Sequence, residues 1–136
     1  MINTSNIKVI DLFCGIGGLS HGFVREGFDV VAGIDNEASC QYPYESNNDA
    51  QFIAKDIRQV TGDEINQLFG DAQIRVLVGC APCQTFSTYS FKSPDRENEL
   101  RQSKWGLLYE FARIIEETKP DIVSMEGSAI NMVLAL

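Results

Sequence analysis

The sequence predicts an α/β fold, a parallel sheet covered by helices on both faces. Three observations lead there. Strand and helix signals alternate along the chain, the strand segments are nearly continuous apolar runs, and a glycine-rich turn follows the first strand. Ile7 to Phe13 (IKVIDLF) is short and rich in branched residues, which predicts a strand. CGIGG follows as a turn, and Leu19 to Glu26 reads as a short helix with Leu19, Phe23 and Val24 on one face. Phe28 to Ile34 (FDVVAGI) is a second strand, closed by Asp35. Glu37 to Asn47 starts as a helix that Pro43 limits. Gln51 to Ala54 is a short third strand, and Asp63 to Phe69 a short helix. Arg75 to Val78 is a fourth strand and runs into GCAPC. A polar loop is expected from Gln84 to about Ser103. Trp105 to Thr118 is the strongest helix, with Leu108, Phe111, Ala112 and Ile115 on one face, and Lys119 and Pro120 stop it. Ile122 to Met125 is a fifth strand, and the final GSAINMVLAL is apolar without a clear period.

Composition narrows the function classes. A chain of 136 residues supports one domain with a real core. Its hydrophobic share of 44% and charged share of 22% are ordinary for a globular domain. No apolar stretch approaches the ~20 residues that span a bilayer, so no membrane partner is expected. The start, MINTSNIK, lacks the basic and apolar regions of a signal peptide, which makes a cytoplasmic location the expectation. Four cysteines do not make a disulfide scaffold in a chain of this size, and reduced thiols are expected. The net charge of −8, taken alone, argues against nucleic-acid binding, since phosphate contacts need Lys and Arg.

Two turns carry chemistry. Gly15, Gly17 and Gly18 lie between a strand and a helix, where glycine permits a sharp turn and close approach of a ligand to the main chain. Asp35 ends the second strand, where an acidic side chain accepts hydrogen bonds from ribose hydroxyls. Together they suggest a cofactor that contains adenosine. The dinucleotide fingerprint is imperfect, because Ser20 occupies its third glycine position. The second turn is Cys80-Ala-Pro-Cys83 after the fourth strand. It can be a redox pair, or it can present one cysteine as a nucleophile at the carboxyl end of a strand. Zinc needs four ligands of fitting spacing; Cys14 and Cys40 form no second pair and His21 is the one histidine, so no metal is expected.

At this point the strings themselves match a family. DLFCGIGGLS (Asp11 to Ser20) followed by GCAPCQTFS (Gly79 to Ser87) resembles the first and fourth motifs of the cytosine-5 DNA methyltransferases. Asp35 resembles the acid of the second motif, and Lys55-Asp56-Ile57 the third, whose Asp reaches the adenine amino group. GLLYEF (Gly106 to Phe111) resembles the fifth motif, and KPDIVSME (Lys119 to Glu126) the approach to the sixth. The resemblance covers roughly residues 7 to 126. It implies a Rossmann-like S-adenosylmethionine-dependent methyltransferase fold with sheet order 3-2-1-4-5. It also implies S-adenosylmethionine as cofactor and double-stranded DNA with a flipped cytosine as substrate.

The resemblance further assigns roles. Cys83 would be the thiolate that adds to carbon 6 of cytosine, and Glu126 the acid at ring nitrogen 3, its pKa raised by burial. Phe13 is either core or packed against the methionine arm of the cofactor. Gly15, Gly17, Gly18, Asp35, Asn36, Asp56, Ile57, Pro82 and Leu107 fall on the cofactor side, Gln84 and Ser87 on the substrate side. The loop after Cys83 would close as a lid over the flipped base. Residues 84–104 carry a net charge of +1, so the rest of the chain holds −9. Cys80 is expected to be packed, His21 to lie on the surface, and Tyr42 and Tyr44 to pack under the cofactor lobe.

The chain also departs from the family pattern. Gly127 and Ser128 stand where the family has Asn and Val. The arginine-bearing motif, the target-recognition domain and the last cofactor motif have no counterpart in these residues. The expectation is a single partial catalytic domain over residues 1–136, incomplete at its C-terminal side. It is either truncated or one chain of a split enzyme with a complementing partner, and a catalytically silent cofactor-binding fragment is the alternative. The fifth strand is then expected to be an exposed apolar edge.

Overall fold

The computed structural model describes residues 3–81, 94–126 and 132–135, with residues 94–105 and 132–135 as backbone only. Among these, a six-stranded sheet runs in the order β3-β2-β1-β4-β5-β6. Its strands are β1 (Ile7–Leu12), β2 (Asp29–Asp35), β3 (Gln51–Ala54), β4 (Ile74–Gly79), β5 (Ile122–Met125) and β6 (Met132–Ala135). The first five pair in parallel, and β6 pairs antiparallel with β5. The helices are α1 (Gly18–Arg25), α2 (Gln41–Asn48), α3 (Gly62–Phe69) and α4 (Pro94–Thr118).

Successive strand residues point to opposite faces, and both faces are apolar, so the sheet has a core on each side. On one side Ile10 and Leu12 of β1, Leu77 of β4 and Val123 of β5 pack with Ile65 and Phe69 of α3 and Phe111 and Ile114 of α4. On the other, Ile7, Val9, Val76 and Val78 meet Leu19, Phe23 and Val24 of α1. A smaller cluster of Cys14, Tyr44 and Phe52 sits under α2.

Five expectations are corrected here. The loop expected from Gln84 to Ser103 is already helical from Pro94. Proline is well suited to a first helical position because its missing N–H has no partner there, and Asp95 and Glu97 follow in the acid-favouring first turn. The buried face of α4 is set by Phe111 and Ile114, which join Ile65, Phe69, Leu77 and Val123 in the core, while Ala112 is exposed. Pro43 does not limit α2; it lies in the first turn after a 3-10 turn at Ala38–Cys40. The fifth strand is not an exposed edge: β6, from the unassigned final tract, hydrogen-bonds along β5 with Ile122 opposite Ala135 and Met125 opposite Met132. Tyr44 is fully buried as expected, whereas Tyr42 on the same helix is 83% exposed.

Candidate functional site

The carboxyl ends of parallel strands share one rim, and open α/β sheets bind ligands in the crevice there. In this chain the ends of β1, β2, β3 and β4 border a cleft of ≈ 200 Å³. Phe13, Ile34, Ile57 and Leu107 form its apolar walls, and Asp35, Asn36, Lys55, Asp56 and Cys80 supply polar atoms. It is smaller than the about 300 Å³ of ordinary ligand pockets, so it suits one part of a larger molecule.

The glycine turn is built by alternating backbone signs. Phe13, Gly15 and Gly17 all have positive φ, at 56°, 53° and 91°. A positive φ costs an aromatic residue energy, so Phe13 is held in a strained conformation beside the cleft it lines. At Gly17 a Cβ would strike the Tyr44 ring, with Cδ2 only 2.6 Å away, and the Asn48 amide. At Gly33 it would strike the same Tyr44 ring from β2. Tyr44 thus fills a slot that exists because both residues are glycine. Around Gly18 the space is open, so no crowding explains that glycine.

Asp35 ties this turn to β2. Its Oδ2 accepts the Gly15 N–H (2.9 Å) and its Oδ1 accepts the Glu37 N–H (2.9 Å). A carboxylate offers about four lone-pair positions, so Asp35 keeps capacity for further donors. Asp56 caps the 3-10 turn Ile57–Gln59, with Oδ1 accepting the Arg58 N–H (2.9 Å). Lys55 pairs with Glu64 at 2.6 Å across that turn.

Below the glycine turn lies a buried hydrogen-bonded chain. Ser20 Oγ donates to Asp11 Oδ2 (2.7 Å), and the Tyr44 hydroxyl lies 2.9 Å from Ser20 Oγ. Asp11 is 1% exposed, and its Oδ1 is one of two buried side-chain atoms among the described residues that lack a partner. Burial pushes its carboxyl up to about 7, against the pull of the Ser20 bonds, with Asp35 and Glu126 adding repulsion. Burial likewise lifts the Cys14 thiol, with Asp11 and Asp35 behind it. Cys14 is therefore an inert structural thiol, in keeping with its place in the α2 cluster.

Of the expected cofactor residues, Phe13, Asp35, Asn36, Asp56, Ile57 and Leu107 border the cleft, and Gly15 is bonded to Asp35. Gly17 and Gly18 start α1 beside it. Pro82, Cys83, Gln84 and Ser87 lie outside the described residues, as do Gly127 and Ser128. Two expectations change. Cys80 is exposed and lines the cleft rather than packing beneath it, because the chain leaves β4 at Gly79. Glu126 is exposed too, so the burial expected of it is not supplied by these residues. Its N–H donates to the Gly79 carbonyl (2.9 Å), which holds it next to the end of β4, just before Cys80. Ile34, Lys55 and Cys80 also line the cleft; the available signals were the places of Ile34 and Lys55 next to Asp35 and Asp56, and that of Cys80 at the end of the fourth strand. His21 is on the surface, with Nδ1 near the Asn47 carbonyl. Among the described residues no helix is long and apolar enough to cross a membrane.

The fold and the rim cleft define a Rossmann-like α/β protein with its candidate site at the carboxyl ends of the parallel strands. Comparison with known proteins makes the assignment specific. The chain belongs to the C-5 cytosine-specific DNA methylase family, whose model matches residues 7–129. It is 56% identical over 119 residues to the Type II methylase M.HgiDII of Herpetosiphon aurantiacus, covering 88% of this chain and 32% of that relative. It is 32% identical to the Type II methyltransferase M.HgiGI of the same organism, covering 89% of this chain and 90% of that one. The S. pombe Dnmt2 methyltransferase structure shares the fold at a TM-score of 0.64 and 18% identity, over 88% of this chain and 34% of its own. The chain thus spans about a third of the M.HgiDII methylase.

Proposed function

We propose that this chain is the cofactor-and-nucleophile part of a cytosine-5 DNA methyltransferase acting on a flipped base in double-stranded DNA. The observation that carries the reading is the convergence of Asp35, Asp56, Phe13 and Leu107, from four separate segments, on one cleft beside the end of β4. The residues fit S-adenosylmethionine. Apolar walls suit a purine ring, the spare acceptor capacity of Asp35 suits ribose hydroxyls, and Asp56 suits the adenine amino group. When bound, S-adenosylmethionine supplies the methyl group that carbon 5 of the cytosine takes up.

The chain's own residues do the rest. The Cys83 thiolate adds to carbon 6, and the protonated carboxyl of Glu126 gives its proton to nitrogen 3 as negative charge reaches the ring. Carbon 5 thereby becomes nucleophilic. After methylation, water takes the carbon 5 proton, the freed electron pair forms the carbon 5–carbon 6 double bond and expels Cys83 as thiolate, and nitrogen 3 returns its proton to Glu126. The exposure of Glu126 points to a further segment that covers it in the working enzyme. That segment and the DNA-reading surface are assigned to a complementing part, because this chain holds −8 net charge and DNA contacts need cations.

The test uses duplex DNA with 5-fluorocytosine, where the fluorine blocks the final elimination and leaves the adduct in place. The chain is mixed with S-adenosylmethionine and the carboxy-terminal part of the M.HgiDII methylase. A cross-linked band is expected, and Cys83→Ser abolishes it while Cys80→Ser does not. Binding of S-adenosylhomocysteine with no cross-link in any mixture would instead identify a catalytically silent cofactor-binding fragment.

A further inference from the structure

We infer that Arg113 of α4 is a positioning residue that sets adenine recognition. The inference rests on the proposed role of Asp56 toward the adenine amino group. Arg113 has five N–H donors in a rigid fork, and each of its three nitrogens has an acceptor. Nε donates to Glu110 Oε2 (2.6 Å), and Nη1 lies 3.1 and 3.0 Å from the two oxygens of Glu117. Nη2 donates to the carbonyls of Ile57 (3.0 Å) and Val60 (2.8 Å). Ile57 opens the 3-10 turn Ile57–Gln59 directly after its N-cap Asp56, and Val60 is its C-cap. Glu117 extends the clamp by accepting the Gly62 N–H (2.8 Å) at the start of α3.

The turn from Asp56 to Val60 is therefore gripped at both ends. Asp56 and Ile57 line the cleft, and so does Leu107, which α4 carries two turns before Arg113. One guanidinium fixes the distance between the α4 wall of the cleft and the wall that holds Asp56. Two carbonyls and two carboxylates around one side chain demand a planar fork; a lysine ammonium offers three donors from a single point and cannot meet all four. Orientation at this turn matters for specificity, because a carboxylate accepts from the 6-amino group of adenine and is repelled by the 6-oxo group of hypoxanthine.

The experiment compares S-adenosylhomocysteine with S-inosylhomocysteine by calorimetric titration of the 136-residue chain. Wild type is expected to prefer the adenosyl ligand. Arg113→Lys and Arg113→Ala are expected to lower that preference by roughly tenfold, the scale of one charge-assisted hydrogen bond. Glu110→Gln, which leaves both carbonyl bonds to Arg113 in place, is expected to keep it. If Arg113→Ala does not fold, Arg113→Lys decides, since it retains the charge beside Glu110 and Glu117. An unchanged preference in a folded Arg113 variant, or equal weakening of both ligands, overturns the inference and leaves the role of Asp56 standing. A wild type without preference removes the role of Asp56, and the inference goes with it.

Discussion

Asp11 shows how one buried acid links the glycine turn to pH. Its side chain sits beneath the turn, bonded to Ser20, with Tyr44 behind Ser20 and Asp35 and Glu126 as acidic neighbours. Its carboxyl is raised from 3.8 to about 7 in the folded chain, burial being the largest cause. Between those values the folded state holds a proton that the unfolded state has released. Stability therefore falls as pH rises through that window, and the loss is complete above the folded value. Asp11→Asn keeps an oxygen that can accept from Ser20 and removes the titration. The expected outcome is a Tm that declines between pH 5 and 8 in wild type and a flatter profile in Asp11→Asn, measured by thermal denaturation across that range. The gain at pH 8 is expected to be on the order of a few kcal/mol.

At the scale of elements, the site is made by how α2 docks under the first turn. Tyr44 of α2 occupies the space that glycine leaves at Gly17 and at Gly33, so α1, α2 and β2 meet on one aromatic ring. Gly17→Ala adds a Cβ against that ring and puts alanine at a φ of 91°. The substitution is expected to cost about 1–3 kcal/mol by combined overpacking and backbone strain. Urea denaturation measures that loss, and titration with S-adenosylhomocysteine is expected to show weakened binding even where the fold survives. Gly18→Ala, facing open space, is expected to leave stability within about 0.5 kcal/mol of wild type.

For the whole molecule, the antiparallel β6 is what closes the sheet after β5. Its pairing satisfies the backbone groups on the outer side of β5, whose residues Ile122, Val123 and Met125 are apolar. Deletion of residues 132–136 is expected to expose that edge and to promote concentration-dependent association, read by light scattering, with a lower Tm. Wild type at the same concentration is expected to stay monodisperse.

The α/β class, the bounds of β3 and β5 and the order of the first five strands were legible in the residues and the motif resemblance, because parallel strands buried on both faces leave short apolar runs between helical stretches. The local glycine and acidic signals likewise pointed to Gly15 and Asp35, which a hydrogen bond joins. What local signals could not carry were contacts between residues far apart in the chain. The Tyr44 slot at Gly17 and Gly33, the Arg113 grip on Ile57 and Val60, and the pairing of β6 with β5 each join separate segments. The exposure of Cys80 and Glu126 is of the same kind. Periodicity and the turn residues marked β1 to β5 and the central part of each helix, but not the early start of α4 or β6; only the packing of the folded chain decided those and which side chains face the cleft, since burial depends on neighbours that sequence distance does not record.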